Sequence, residues 1–508
     1  MEEAIYQREV GPGAQIFESH GEYHLPDYAG DIKKMLGSSA RIVPTGKFFG
    51  GEEVQFAGSV HYDFWYLDSE NTLTHEAFST DYEFSCPRGN AQDGAIEASV
   101  SHFALRPSGP RRVNAKATVE GRITLREGAA YLCEADEGAR LHKRLAEIEV
   151  GKRIFSSPKE REFAQSLPLP AALADAEAQI LFYEASVQIE SAEAQDGEVL
   201  LRGCIVFCAV ASISALAPIR LCERYPFEER VALEECTPQM AAWASGYLTS
   251  LTAELSDAPD RALTFHAICE FACAAEGNTP LSVVRDAFCE HGVTASEEQT
   301  LAYEVFGGTK NLQRRLDLRV PLECEGERID GVFYAAATLK NASCAPKDRE
   351  PVFSADAEIT ALVYTLAEDG MPAYGARKVS APLSVALPQI AAELAGGEYA
   401  VAADAYVCDC FIEDGALMVS LDMLFVEKCT AHREIACVRR VRSEPYAKEG
   451  FVPTCTLCFP TEGDSLWTVA KRYAVSPTVL AAQNHISDNA DDDGENLPSP
   501  MLVYTRNN

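Results

Sequence analysis

The chain has 508 residues, of which 47% are hydrophobic and 24% are charged, and these ordinary globular values exclude wholesale disorder. Its 77 acidic residues outnumber the 44 basic ones and give a formal net charge of −33. Such a field repels nucleic acid and anionic lipid, so neither is an expected partner. At roughly 100–200 residues per domain, this length predicts three or four domains.

The first residues, MEEAIYQREVGPGAQ, show neither the basic nor the apolar stretch of a secretory signal. No run of about 18 apolar residues follows, so no membrane span is expected and the predicted location is the cytoplasm. The 17 cysteines are then expected to be reduced thiols that pack as small buried side chains. Only Cys455 and Cys458 have the spacing of a zinc knuckle, and no second knuckle follows, so no metal site is expected.

Runs that alternate apolar and polar residues recur three times along residues 1–445. Comparable runs surround Gly58, Gly203 and Ala357, about 150 residues apart. A later run in each repeat covers Val113–Leu125, Ala262–Phe271 and Ala416–Val426. In the last of these, the residues predicted to face the core are Val419, Leu421, Met423 and Phe425. The pattern predicts three antiparallel β units.

Helical patterns are few in this part of the chain. Apolar residues spaced at Leu141, Leu145 and Ile148 predict a bridging helix over Glu137–Glu149, and Leu281–Cys289 is a second candidate. The predicted fold class is therefore mainly β with some α. The predicted domains are a β unit at 1–135, the bridging helix and a second β unit at 136–318, a third β unit at 319–445, a linker at 446–453 and a small α+β module at 454–508.

Motifs for catalysis are absent from the sequence: it has no nucleophile elbow, no Walker loop and no zinc-protease helix. His20–His24 holds two histidines around a glutamate, but Pro26 follows closely and favours a polar loop. Gly307–Lys310 lacks the upstream glycine of a phosphate loop and is typical of a turn. We therefore expect no catalytic residue, no metal and no cofactor.

The C-terminal segment has the order strand, helix, helix, strand. Thr456–Phe459 is a strand candidate, and Asp464 is the expected N-cap of a helix. Ser476 followed by Pro477 begins a second helix. Met501–Tyr504 closes the unit as a strand. The predicted core face of the first helix consists of Leu466, Val469, Ala470 and Tyr473.

This segment resembles the LysM family. The resemblance runs through both helices, from Gly463 to Tyr473 and from Leu480 to Asn484. It implies a module that binds glycans containing N-acetylglucosamine, such as peptidoglycan, in a groove between the loop before the first helix and the loop after the second. The groove positions carried over are Gly463, Asp464, Ser465, Leu466, Asn484, His485, Ile486 and Pro498. For Asp464 the simpler interpretation is a helix cap, for Leu466 core packing and for Asn484 a C-cap.

Two features depart from the family pattern, and both fall on a wall of the implied groove. An acidic insertion covers Asp488–Glu495, and Pro498-Ser499-Pro500 replaces the usual Pro-Gly. The insertion does not fit a calcium loop, because Pro500 stands where the bidentate glutamate is required. A groove changed in this way is also compatible with docking a protein.

The segment Leu25–Leu36 resembles the opening of SPOCS-type domains, β-rich modules associated with bacterial spore coats. Repeated units of this type followed by one LysM module are similar to spore-morphogenesis proteins of the SipL kind. The resemblance implies a non-enzymatic scaffold in coat assembly, on the mother-cell side of the forming spore, with a coat morphogenetic protein or peptidoglycan as partner. Two alternatives stay open: an exported protein that binds peptidoglycan, and a wall hydrolase that LysM targets.

Overall fold

The computed structural model describes residues 2–135, 140–170, 179–212, 217–256, 261–290, 292–322, 328–347, 350–368, 370–388, 397–445, 455–486 and 497–504. Of these described residues 81% are in strands and 3% in helices, which confirms the mainly β class with a small α+β module at the C-terminal end. No helix in these ranges has the length and apolar character needed to cross a membrane.

The first β unit, residues 2–135, contains two antiparallel sheets. Its strands are β1 (Glu2–His24), β2 (Ile32–Phe49), β3 (Glu53–Asp68), β4 (Leu73–Pro87), β5 (Ala91–Gly109) and β6 (Arg112–Ala135). Strands β2, β3 and β4 form a meander, whereas β1 and β5 flank β6. The alternating apolar side chains of the two sheets meet in one core, which includes Phe56, Tyr62, Val119 and Leu125.

The second β unit, residues 141–289, repeats this pairing. Its strands are β7 (Leu141–Phe155), β8 (Lys159–Pro168), β9 (Gln179–Gln195), β10 (Glu198–Ser212), β11 (Ile219–Ala232), β12 (Ala241–Leu255) and β13 (Ala262–Cys289). Strands β9, β10 and β11 form the meander, while β7, β8 and β12 all pair with β13. Strands β7 and β8 together therefore take the place that β1 has in the first unit.

The third β unit, residues 292–445, has the same plan. Its strands are β14 (Gly292–Pro321), β15 (Gly331–Lys347), β16 (Glu350–Leu366), β17 (Pro372–Ala386), β18 (Glu398–Glu413) and β19 (Ala416–Pro445). Strands β15, β16 and β17 form the meander, and β14 and β18 flank β19. As expected from the alternation in β19, Val419, Leu421, Met423 and Phe425 are all buried in its core.

Both helix predictions in this region are wrong. The first three residues of the predicted helix Glu137–Glu149 lie outside the described residues; in the rest, β7 begins at Leu141 and pairs with β13, and Leu145 is 53% exposed. Leu281–Cys289 is the end of β13 itself. The leucine spacing fits a helix locally, but pairing between distant strands decides the conformation. The predicted boundary at 318/319 lies within β14, which pairs with β19 from Gly292 to Pro321 with two register shifts.

Two shorter segments also differ from their predicted conformation. His20 and His24 lie in β1 rather than in a loop, and Gly307–Lys310 lies at a register shift of β14 rather than in a turn.

Cys208 faces Cys222 across β10 and β11, and the two form a disulfide, so the expectation of reduced thiols is wrong for this pair.

The three units pack around two shared apolar clusters. One joins the three meanders, where Trp65 of β3 contacts Phe182 of β9 and Tyr334 of β15. The other joins the ends of the long strands and includes Tyr131 of β6, whose hydroxyl donates to the Val438 carbonyl of β19 at 2.8 Å. The C-terminal module then adds β20 (Cys455–Cys458), helix α1 (Leu466–Tyr473), helix α2 (Pro477–Gln483) and β21 (Met501–Tyr504).

Candidate binding site

The C-terminal module builds a small core between its helices and its two-stranded sheet. Strands β20 and β21 pair antiparallel, with Cys455 opposite Tyr504. As predicted, Val469 and Ala470 of α1 are fully buried, while Leu466 and Tyr473 pack at the edge of the same core. The other buried members that the module itself contributes are Cys458, Val475, Leu480, Met501 and Val503. The predicted order of strand, helix, helix and strand is confirmed.

The N-cap of α1 is Ser465 and not Asp464, which corrects the sequence prediction. The Ser465 hydroxyl accepts from the Thr468 amide, and the Thr468 hydroxyl in turn accepts from the Ser465 amide at 2.8 Å. This reciprocal capping box satisfies two amides at the start of the helix. Asp464 lies one residue too early to reach the amides of the first turn.

Asp464 instead organises the loop that precedes α1. Its carboxylate accepts from the Thr461 amide at 2.9 Å and forms an ion pair with Arg472, two turns along the helix. The Thr461 amide bond and the Arg472 guanidinium hold the pKa of Asp464 below its usual range. Gly463, beside it, has a φ of +89°, a conformation that favours glycine. The loop on one side of the predicted groove is therefore held in a defined shape.

The loop on the other side of the predicted groove begins at Asn484, the C-cap of α2. As predicted, Ser476 caps the start of α2 and Pro477 is its first residue. The Asn484 side chain donates to the carbonyls of Leu480 and Leu502 and accepts from the Leu502 amide at 2.6 Å. Both ends of this amide are used inside the module, where they tie α2 to β21.

The eight predicted groove residues separate into three groups in the structure. Gly463, His485 and Pro498 are exposed and able to meet a ligand. Leu466 and Ile486 are partly buried, and each packs against the module core. Asp464, Ser465 and Asn484 are engaged in the contacts described above. The acidic insertion Asp488–Glu495 lies outside the described residues.

Two residues that the sequence did not indicate hold this module on the body. Asp286 of β13 accepts from Trp467 Nε1 at 2.8 Å and binds the Lys471 ammonium at 2.5 Å. The Phe288 ring meets Trp467 edge-on, with centroids 5.0 Å apart, and belongs to the module core. No local sequence signal pointed to them, because they lie some 180 residues from their partners.

A separate cavity of about 560 Å³ lies between the first and second β units. Its polar wall includes Asp63, which accepts from His75 Nε2 and Arg41 Nη1, both at 3.2 Å. A carboxylate that orients an imidazole is one part of a catalytic triad. Among the contacts of the described residues, however, no serine or cysteine is hydrogen-bonded to His75.

Comparison with known proteins identifies the C-terminal module. The LysM domain model matches residues 461–490, which contain the loop before α1, both helices and the start of the loop after them. No curated protein and no solved structure matches the chain. The chain therefore contains a LysM domain, and such a domain indicates binding to glycans of the peptidoglycan or chitin type.

Proposed function

We propose that this chain is a non-enzymatic binding and scaffold protein of the bacterial spore envelope. In this proposal the three β units form an assembly platform and the LysM domain is the anchor. The partner of the anchor is a glycan with N-acetylglucosamine or a coat morphogenetic protein. The proposed location is the cytoplasm of the mother cell, at the surface of the forming spore.

The observation that carries the proposal is the LysM domain at residues 461–490. The ion pair of Asp464 with Arg472 holds the loop before α1, and Asn484 ties the described start of the loop after α2 to β21. A binding surface that is already ordered loses little entropy when it takes up a partner. The exposed residues Gly463 and His485 then offer contacts on both loops.

The spore role is supported by the segment Leu25–Leu36, whose sequence resembles SPOCS-type domains. In the structure the Arg111 guanidinium donates to the carbonyls of Ala29 and Pro26, at 2.8 and 2.6 Å. Residues 25–31 therefore form a loop held by the turn before β6, residues 32–36 begin β2, and Tyr28 projects from the loop 86% exposed. An exposed tyrosine on a rigid loop is a common anchor in protein interfaces.

Titration of the full chain with chitin oligomers tests the glycan partner. Saturable binding that His485→Asn weakens at least tenfold would support the predicted groove. Asparagine is chosen because it tolerates the left-handed backbone at this position. Val479→Ala, an exposed change on α2, is the matched control and should bind like the parent chain. No binding at millimolar oligomer would exclude the glycan and leave a protein partner.

Localisation of a fluorescent fusion in a sporulating bacterium tests the cellular role. The intact chain should form a shell around the forming spore, whereas a chain without residues 454–508 should remain diffuse. Accumulation at the outer cell wall would contradict the proposal and favour the exported alternative. Release of muropeptides by the purified chain would favour a hydrolase.

A further inference from the structure

The contact between the LysM domain and β13 has a regular geometry. Asp286 and Phe288 are two positions apart on a strand, so both side chains leave the same face. Trp467 and Lys471 are one turn apart on α1, so they also share a face. A register shift between Val284 and Asp286 interrupts the pairing with β7 at this point. Such irregularities re-aim strand side chains, here toward the helix.

Phe288 supplies a part of the LysM core that the module does not contain itself. The ring is 1% exposed and clusters with Val469, Leu480 and Met501. On its other side it packs against His142 of β7, with ring centroids 5.2 Å apart. A module of about fifty residues buries too little apolar surface for robust stability, so an added aromatic ring has a large effect.

Asp286 adds an ion pair and directional hydrogen bonds to this apolar contact. Its carboxylate accepts hydrogen bonds from the Trp467 indole, the Lys471 ammonium and the Ala287 amide, the last at 2.8 Å. Burial raises the pKa of Asp286, but the bonds from Lys471 and Trp467 outweigh it and hold the pKa below its usual range. The carboxylate is therefore ionised at neutral pH and fixes the rotation of α1 about its axis.

We infer that Asp286 and Phe288 are positioning residues of the LysM binding surface, so that β13 and the LysM domain act as one binding unit. This inference rests on the proposed binding function. The contact uses the Trp467–Lys471 face of α1, while Gly463 and His485 stay exposed. The second β unit thus holds the domain without covering Gly463 or His485, and it sets the direction in which they face.

Hydrogen exchange of the full chain tests whether β13 holds the domain. Phe288→Ala should accelerate exchange of the α1 amides, residues 466–473, at least tenfold, because the core loses its external ring. Phe288→Leu keeps most of the apolar volume and should stay within about threefold of the parent chain. Phe411→Ala, a change at an exposed phenylalanine of β18, is the control and should leave α1 unaffected. Unchanged exchange in α1 of Phe288→Ala would overturn the inference.

A charge exchange provides a second, independent test. Asp286→Lys and Lys471→Asp should each accelerate exchange of α1, because each places two like charges together. The double variant restores an opposite pair and should recover part of the protection. A double variant no better protected than the two single ones would contradict the role of Asp286.

Chitin oligomers serve as the probe for the binding consequence. Phe288→Ala should bind about tenfold more weakly than the parent chain, although it alters no exposed loop residue. Equal affinities would overturn the positioning role. If the parent chain itself binds no oligomer, the glycan part of the proposed function fails, and the exchange measurements alone decide whether β13 holds the domain.

Discussion

At the residue scale, the repeat is clearest where a middle strand faces its neighbour. Gly58 pairs with Tyr82, Gly203 with Phe227, and Ala357 with Ala381, at equivalent positions of the three meanders. A Cβ added to Gly58 would lie 2.3 Å from the Tyr82 ring, and one added to Gly203 would lie 3.0 Å from the Phe227 ring. In the first two units the glycine, which has no side chain, makes room for the aromatic ring opposite it. In the third unit both of these positions are alanine.

We expect Gly58→Ala to lower the free energy of unfolding by about 2 kcal/mol, because the new methyl group overlaps a buried ring. Denaturant unfolding monitored by circular dichroism measures the change. Gly51→Ala is the control, because a Cβ there meets nothing within 4 Å. Equal effects of the two substitutions would mean that the Tyr82 contact is not the cause.

Glu427 is an unusual residue of the third core. It is fully buried, and neither carboxylate oxygen has a hydrogen-bond partner among the described residues. Burial raises the pKa of Glu427 to about 7, and Lys310 on the paired strand offsets this only in part. The folded chain therefore binds this proton more tightly than the unfolded chain does.

The contribution of Glu427 to stability is present below pH 4.5 and is lost as the pH rises through about 7. The loss amounts to roughly 3 kcal/mol at pH 8, since each pKa unit corresponds to about 1.4 kcal/mol. Glu427→Gln should remove this part of the pH dependence, whereas Glu434→Gln, on the exposed face of the same strand, should keep it. Urea unfolding at pH 5 and pH 8 compares the three chains. A parent-like pH profile in Glu427→Gln would refute the assignment.

At the scale of elements, the helix caps and the hydrogen bonds of Asn484 determine the shape of the LysM domain. Ser465 and Thr468 begin α1, and Ala474, with a φ of +49°, ends it. Ser476 and Pro477 then begin α2. These local devices set the helix lengths, and the Asn484 side chain adds hydrogen bonds that tie α2 to β21.

Asn484→Ala should weaken the domain locally by about 2 kcal/mol, because it removes three hydrogen bonds and leaves strand groups unpaired. Hydrogen exchange of β21 and α2 in the full chain is the measurement. Asn484→Asp keeps the acceptor for the Leu502 amide but loses both donors, so an intermediate effect is expected. If the protection of β21 does not change in Asn484→Ala, the Asn484 hydrogen bonds contribute nothing to the stability of the domain.

At the scale of the whole molecule, charged and aromatic side chains from all three units alternate where the long strands meet. The Phe306 ring of β14 has the guanidinium of Arg153 4.6 Å from its centroid and that of Arg126 at 5.5 Å. Arg126 also binds Glu304 of the third unit at 2.8 Å and Glu9 of the first at 2.9 Å. The contact joins units that are distant in sequence, so we expect it to fix their mutual orientation.

Arg126→Ala should lower the free energy of unfolding by about 3 kcal/mol, because it removes a buried guanidinium and leaves the Glu304 carboxylate, which is only 11% exposed, without that partner. Arg112→Ala, on the same strand, removes an exposed pair with Glu22 and should cost less than 1 kcal/mol. Guanidinium unfolding gives both values. A shallow or two-step transition in Arg126→Ala would show that the units unfold separately, whereas an unchanged midpoint would contradict the network.

The sequence alone determined the features that depend on neighbouring residues. Alternation in β19 predicted its buried face, and the apolar spacing around Val469 and the Ser476-Pro477 pair predicted the LysM helices. These signals are short-range, so the sequence displays them directly. The cap of α1 was misplaced by one residue, because Asp464 and Ser465 are equally good caps and only the backbone geometry separates them.

The tertiary structure decided everything that depends on distant partners. Residues 141–149 form a strand because β13 offers pairing groups more than a hundred residues later, which outweighs a local helical pattern. The same holds for Asp286 and Phe288, which gain their role from a helix about 180 residues away. Local periodicity can show that a face is buried, but it does not identify the distant strand or helix that covers it, so only the folded chain shows which surfaces meet.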